Sequence, residues 1–239
     1  MNKPASSKNN DLKQTDELRP AHWEQRSAQR VMEVGQDQIL ERSRKIVEAA
    51  YDLLDEAGLE GLTIRAVLTR TGLSRRAFYE RFEGKDDLVL AVFEETIRKA
   101  VRFFTERVAS MENPLDRLRL IVTFIVLGRG IQGEAYTDRR GAALSREHLR
   151  LAESRPADLK GALQPLIALI EQILADGMAS GVVRQDDPQR LATLLYNLVS
   201  TTVHSELLTS ENGQVDQATK KQLANDIWEF CRRAISENP

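Results

Sequence analysis

The stretch Thr63–Lys85, TIRAVLTRTGLSRRAFYERFEGK, decides how the chain is read. Thr63 and Ser74 are each a hydroxyl residue that can accept a hydrogen bond from an N–H of a following first helical turn. Each is bracketed by an apolar pair, Leu62 with Val67 and Leu73 with Phe78, at the spacing of a hydrophobic staple. Thr69-Arg70-Thr71-Gly72 is then a tight turn between two short helices. Two helices joined in this way predict a helix-turn-helix, in which the second helix enters the major groove and the first braces it.

Charge supports that reading locally. The whole chain has 34 basic and 36 acidic residues and a net charge of -2, so it is no general polycation. Between Thr63 and Lys85, however, Arg65, Arg70, Arg75, Arg76, Arg81 and Lys85 face only Glu80 and Glu83. Arg75 and Arg76 fall in the first turn after the cap, where arginine can read guanine with two hydrogen bonds. Thr63, Tyr79 and Arg81 are placed for flanking phosphates, which fix register without reading sequence. Phe78 and Phe82, four apart, are expected to face inward. Lys85 opens the next helix, where the dipole favours Asp86 and Asp87 and disfavours a cation. It therefore needs another partner: a DNA phosphate is the simplest, a solvated surface lysine the alternative.

Upstream, Arg42 to Ala57 is a helix with Ile46, Ala49, Ala50, Leu53 and Leu54 in one stripe. Gly58 stops it as a left-handed C-cap, with Leu59 closing against Leu54. Met1 to about Pro20 is polar and reads as a disordered arm. Its lysines, Lys3, Lys8 and Lys13, are either a solvated tail or extra DNA contacts. Ala21 to Gln38 has Trp23, Val31, Met32 and Val34 without a clean period, leaving a weak extra helix open.

Downstream the pattern is helical throughout, so the fold class is all-α, with about nine helices. Helices are expected at Asp86 to about Ser110, Leu115 to Leu127, Ala142 to Glu153, Ala157 to Ser180 (with Pro165 a possible break), Pro188 to about Leu208 and Val215 to Ser236. Gly128 to Gly141 reads as a loop that can shape a pocket mouth. Met1–Asn10 is polar, the most apolar run, Ile121–Leu127, is too short to span a bilayer, and the single cysteine, Cys231, forms no internal disulfide. These features give the expectation of a cytoplasmic protein. His22, His148 and His204 lie far apart, and no nucleophile elbow, phosphate loop or metal-ligand spacing occurs. No enzyme, metal or cofactor is expected.

The segments Lys45–Ala50, Glu56–Leu59, Leu62–Arg65, Thr71–Ser74, Ala77–Phe82 and Gly84–Leu88, in that order, resemble the TetR family of bacterial repressors. Asp176–Arg184, followed by Asp187-Pro188, is similar to the family's regulatory domain. The resemblance implies DNA-contacting positions at Thr63, Arg65, Ser74, Arg75, Arg76, Tyr79 and Lys85. It also implies three parts: a flexible arm at 1–38, a helix-turn-helix domain at 39–88, and an effector-binding and dimerisation domain at 89–239. Leu68 and Thr71 depart from the family pattern of alanine and a small apolar residue, and Leu68 is expected to widen the packing of the two motif helices.

In the family the last two helices pair with their copies. Here that implies a homodimer interface at Leu191, Leu195, Leu198, Thr202, Leu223, Ile227, Phe230 and Cys231, burial against their own chain being the alternative. Phe93, Ile97, Val101, Phe104 and Phe124, with Leu144, Ile167, Ile170 and Leu174, either line an effector cavity or form ordinary core. Arg129, Tyr136 and His148 are candidate head-group contacts beside them, with Arg139 and Arg140 near. An apolar lining points to a largely apolar small-molecule effector. The expected function is a ligand-responsive one-component regulator, most simply a repressor of a pseudo-palindromic operator. A helical protein-binding adaptor or an activator is the alternative.

Overall fold

The computed structural model describes residues 22–128, 139–209 and 217–237. Arg129 and Tyr136 lie outside the described residues, as does the arm before His22 with Lys3, Lys8 and Lys13. The chain divides into two units, residues 1–44 and 45–239. The described residues hold nine helices and no strand beyond one isolated antiparallel bridge, Val183 to Ser236.

Helix α1 spans His22–Gly61. Its helical residues begin well before the expected Arg42. Glu24, Gln25, Arg26, Ala28, Gln29, Arg30 and Met32 are all good helix formers, so propensity sustains a helix where no apolar stripe announces one. Within the second unit, Ile46, Ala49, Ala50 and Leu54 are buried as expected, together with Tyr51. Gly58 does break the helix, but not as a left-handed cap: φ 65° with ψ -161° is the extended positive-φ region open essentially to glycine alone.

Helices α2 (Ile64–Thr71) and α3 (Arg75–Tyr79) follow, then α4 (Lys85–Val108) and α5 (Pro114–Leu127). The Asn113 carboxamide caps α5 by accepting from Leu115 N at 2.9 Å. Helix α6 spans Arg139–Ser154, starting before the expected Ala142, so Arg139 and Arg140 are helical and not loop. Helix α7 (Pro156–Ala179) runs unbroken through Pro165. Pro165 is on the exposed side of the helix, so the carbonyl deprived of its N–H partner can be met by water. Helix α7 is also, among the described residues, long and apolar enough by composition to cross a membrane, but Leu166, Ile170, Ile173 and Leu174 are buried inside the protein. Helices α8 (Pro188–Thr209) and α9 (Gln217–Ile235) complete the chain.

Helix α5 is central, packing against α4, α7, α8 and α9. The described apolar residues expected to line a cavity pack into the core. Phe93, Ile97, Phe104, Leu144, Ile170 and Leu174 are buried, and Val101, Phe124 and Ile167 are half-buried against the same core. Phe103, Phe104 and Phe124 pack on one another, edge-on or tilted, with centroids 5.0–5.8 Å apart. A void of about 10 Å³ lies among Leu118, Ile121, Val122, Ile125, Ile170, Leu195, Tyr196 and Val199. That is room for about one water, and of the expected lining only Ile170 reaches it.

His148 packs edge-on to Phe93 and stacks on Tyr196, whose hydroxyl lies 3.3 Å from Nδ1; on the same α6–α8 seam His204 Nδ1 meets the Ser145 carbonyl at 3.1 Å. Burial first, and the neighbouring His204 second, hold the His148 imidazole below the ordinary histidine value. The unfolded chain therefore binds this proton more readily than the folded one. The stability contributed by the neutral ring is present above about pH 6.5 and is lost as pH falls below it. The melting temperature is expected to drop between pH 7.5 and 5.5, and less steeply in His148→Phe; equal slopes in calorimetry would contradict this.

Candidate nucleic-acid interface

The reading head is built by caps. Thr63 Oγ1 accepts from Ala66 N at 3.1 Å to start α2, and Ser74 Oγ accepts from Ala77 N at 3.1 Å to start α3. Both staples close, with Leu62, Val67 and Phe78 fully buried and Leu73 half-buried. Gly72 ends α2 in the left-handed conformation, φ 68° and ψ 11°, its N–H donating to the Leu68 carbonyl at 3.0 Å. Thr71, a departure from the family pattern, helps close the turn: its hydroxyl donates to the Val67 carbonyl at 2.9 Å and accepts from Leu73 N at 3.4 Å. Leu68 packs half-buried against the core. Phe78 and Phe82 face inward, 5.6 Å apart.

On the outside, Thr63, Arg65, Ser74, Arg75, Arg76 and Tyr79 are all exposed. The two capping hydroxyls use their oxygen as acceptor, which leaves each O–H free to donate outward. Arg75 and Tyr79, four apart, share one face of α3. The guanidinium groups of Arg65 and Arg75 have no hydrogen-bond or ion-pair partner among the described residues. Arg76 is 89% exposed and pairs with Glu80 at 2.9 Å, and this contact, with a lesser one from Arg81, holds the Glu80 carboxyl below the usual range. Thr63 and Arg65 also line an open groove of about 400 Å³ with Leu53, Ala66, Thr69 and Arg70. Thr69 is an addition to the expected contacts, although its place six residues after Thr63 on a short exposed helix is readable in the sequence. Arg70 is committed elsewhere, clamping Glu56 of α1 at 2.6 and 2.9 Å.

Two expected backbone contacts are placed differently. The Arg81 side chain is only 6% exposed; Nη1 donates to the Ala77 carbonyl at 2.5 Å and to Glu80 Oε2 at 3.3 Å. It closes the last turn of α3 from below, as cations near helix C-termini do, and does not point outward. Its Nε is buried without a partner. Lys85 is half-buried, and its ammonium donates to the Leu59 carbonyl at 3.2 Å. The partner its position called for is thus intramolecular, a carbonyl just past the Gly58 break in α1.

On α8 and α9, Leu191, Leu195, Ile227 and Cys231 are buried within the chain. Thr202 and Leu223 are half-buried. Leu198 is 36% and Phe230 64% exposed, and Leu194, an addition to the expected set, is 58% exposed. Burial pushes the Cys231 thiol up to about 11, which disfavours the thiolate at neutral pH.

Two capped helices around a left-handed glycine, with arginines facing out and phenylalanines facing in, define a helix-turn-helix regulator. Residues 46–92 match the family described as bacterial regulatory proteins, tetR family. The chain is 25% identical over 182 residues to the HTH-type transcriptional repressor Rv1474c of Mycobacterium tuberculosis, spanning 71% of this chain and 97% of that protein. It is 34% identical over 82 residues to the HTH-type transcriptional regulator BetI of Burkholderia ambifaria, a match that covers 34% of this chain and only 42% of BetI's length. In fold it is similar to the transcriptional regulator FadR from Bacillus subtilis, solved in complex with stearoyl-CoA, with a TM-score of 0.60, 17% identity, and coverage of 79% of this chain and 96% of that one. Residues 46–92 are thus a DNA-binding segment of the tetR-family type.

Proposed function

We propose that the protein is a ligand-responsive one-component repressor that binds a pseudo-palindromic operator as a homodimer, in the cytoplasm. The observation that carries this reading is the pair of exposed arginines, Arg65 and Arg75, at the starts of two N-capped helices, neither guanidinium having a partner among the described residues. Arg75 and Arg76 read bases. Thr63, Arg65, Ser74 and Tyr79 hold phosphates, and Lys85 adds a phosphate with the ammonium protons that Leu59 leaves free. Arg81 drops out of the contact set. Residues 39–88 act as the reading head and 89–239 as the effector and dimerisation part.

The dimer forms through α8 and α9. Leu194, Leu198 and Phe230 are large apolar side chains exposed on these two helices, and covering them in a dimer removes apolar surface from water. The experiment is light scattering on Leu198→Glu/Phe230→Glu beside the native chain. A native dimer and a folded monomeric variant with weakened DNA binding are expected, whereas a native monomer would overturn the homodimer. The effector is a largely apolar small molecule. Support comes from the fold shared with a regulator solved with stearoyl-CoA.

A further inference from the structure

Three arginines outside the reading head hold it from behind. Arg140, in the first turn of α6, is 6% exposed; it pairs with Asp55 of α1 and lays its guanidinium 3.8 Å from the centroid of Tyr51. Lys99 of α4 is also 3.8 Å from that centroid. Arg150, near the end of α6, takes both carboxylate oxygens of Asp86 at 2.9 and 3.0 Å, while Glu147 accepts from its Nε at 2.6 Å. Arg155, between α6 and α7, bonds Asp87 at 3.0 Å and Asp158 at 2.7 Å.

Asp86 and Asp87 are in the first turn of α4, at the C-terminal end of the head. Two carboxylates there already suit the positive end of the helix dipole and need no cation. Yet each is met by an arginine supplied from more than sixty residues away. Ion pairs this exposed add little to stability. What they add is direction: Arg150 grips Asp86 at two points, a geometrically exacting contact, and Arg155 spans Asp87 and Asp158. One such contact would leave the head free to swivel, whereas anchors on α1 and on α4 together oppose rotation.

We infer that Arg140, Arg150 and Arg155 are positioning residues that set the angle of the reading head on the α6–α7 body, and so the half-site separation that an operator must offer. The inference rests on the homodimeric repressor reading above. Adding one base pair between half-sites turns one against the other by roughly a tenth of a turn, so a rigid head tolerates little change and a loosened head tolerates more.

The test is affinity of the full-length protein for a series of DNAs carrying its own selected half-sites with spacers lengthened and shortened by up to two base pairs. Native protein is expected to lose about tenfold or more at two base pairs from its optimum, and Arg150→Gln/Arg155→Gln about threefold or less, with the same half-site preference. Both residues are partly exposed, so the variant folds; the charge swap Asp86→Arg/Arg150→Asp separates a positional role from a general loss of stability by restoring the narrow spacing. A variant with native spacing selectivity, or a broadening that the swap leaves in place, overturns the inference while leaving the repressor reading intact. If native protein selects no symmetric site, the repressor reading falls and takes this inference with it.

Discussion

Replacing Arg75 and Arg76 together by alanine is expected to abolish sequence-specific DNA binding while leaving a folded protein. Both side chains are exposed, and inside the chain the double substitution removes the Arg76–Glu80 surface pair. The melting temperature should barely move, since such surface changes stay within about 0.5 kcal/mol. A bidentate arginine–guanine contact contributes about 1–3 kcal/mol of discrimination. Removing two therefore lowers specific affinity by about a hundredfold or more, while non-specific binding, which phosphates dominate, weakens far less. Arg81→Ala is the control. Its guanidinium is under α3, so its effect should fall on stability first; fluorescence anisotropy and thermal melting on the two variants distinguish them.

The second large effect is Phe78→Ala. Phe78 is fully buried, packs edge-on to Tyr79 with centroids 5.3 Å apart, and closes the staple around Ser74. Removing a ring of this kind costs about 3–5 kcal/mol. That is a large share of the 5–15 kcal/mol, roughly, that holds a domain together. Urea unfolding should show a clear drop in midpoint, with DNA binding abolished because α3 no longer has a floor. Phe78→Leu, which keeps most of the volume, should retain a large part of both.

The head is legible in the sequence because its signals are local. Capping hydroxyls, staples and the turn glycine are each set within about five residues, and all of them recur in the structure at the expected positions. What is not legible depends on partners far along the chain. Arg81 and Lys85 bear the right charge for phosphate, but a sequence does not disclose that Ala77 and Leu59 offer carbonyls within reach. Periodicity also cannot tell which chain covers an apolar stripe. Leu195 and Leu198 belong to the same repeat, yet the first is buried and the second exposed, because the apolar stripe of α8 is wider than the surface it packs on. The early start of α1 is hidden for the opposite reason: it rests on propensity, which leaves no pattern of burial to detect.

Operator reading by a two-fold dimer is tested most directly by the DNA that the full-length chain selects from a random pool. The expected result is enrichment of an inverted repeat whose half-sites are centred about one helical turn, roughly 34 Å, apart, bound with an affinity that falls steeply with salt and abolished in Arg75→Ala/Arg76→Ala. A pool that stays random, or sites that the double variant binds as tightly as the native protein, would contradict it.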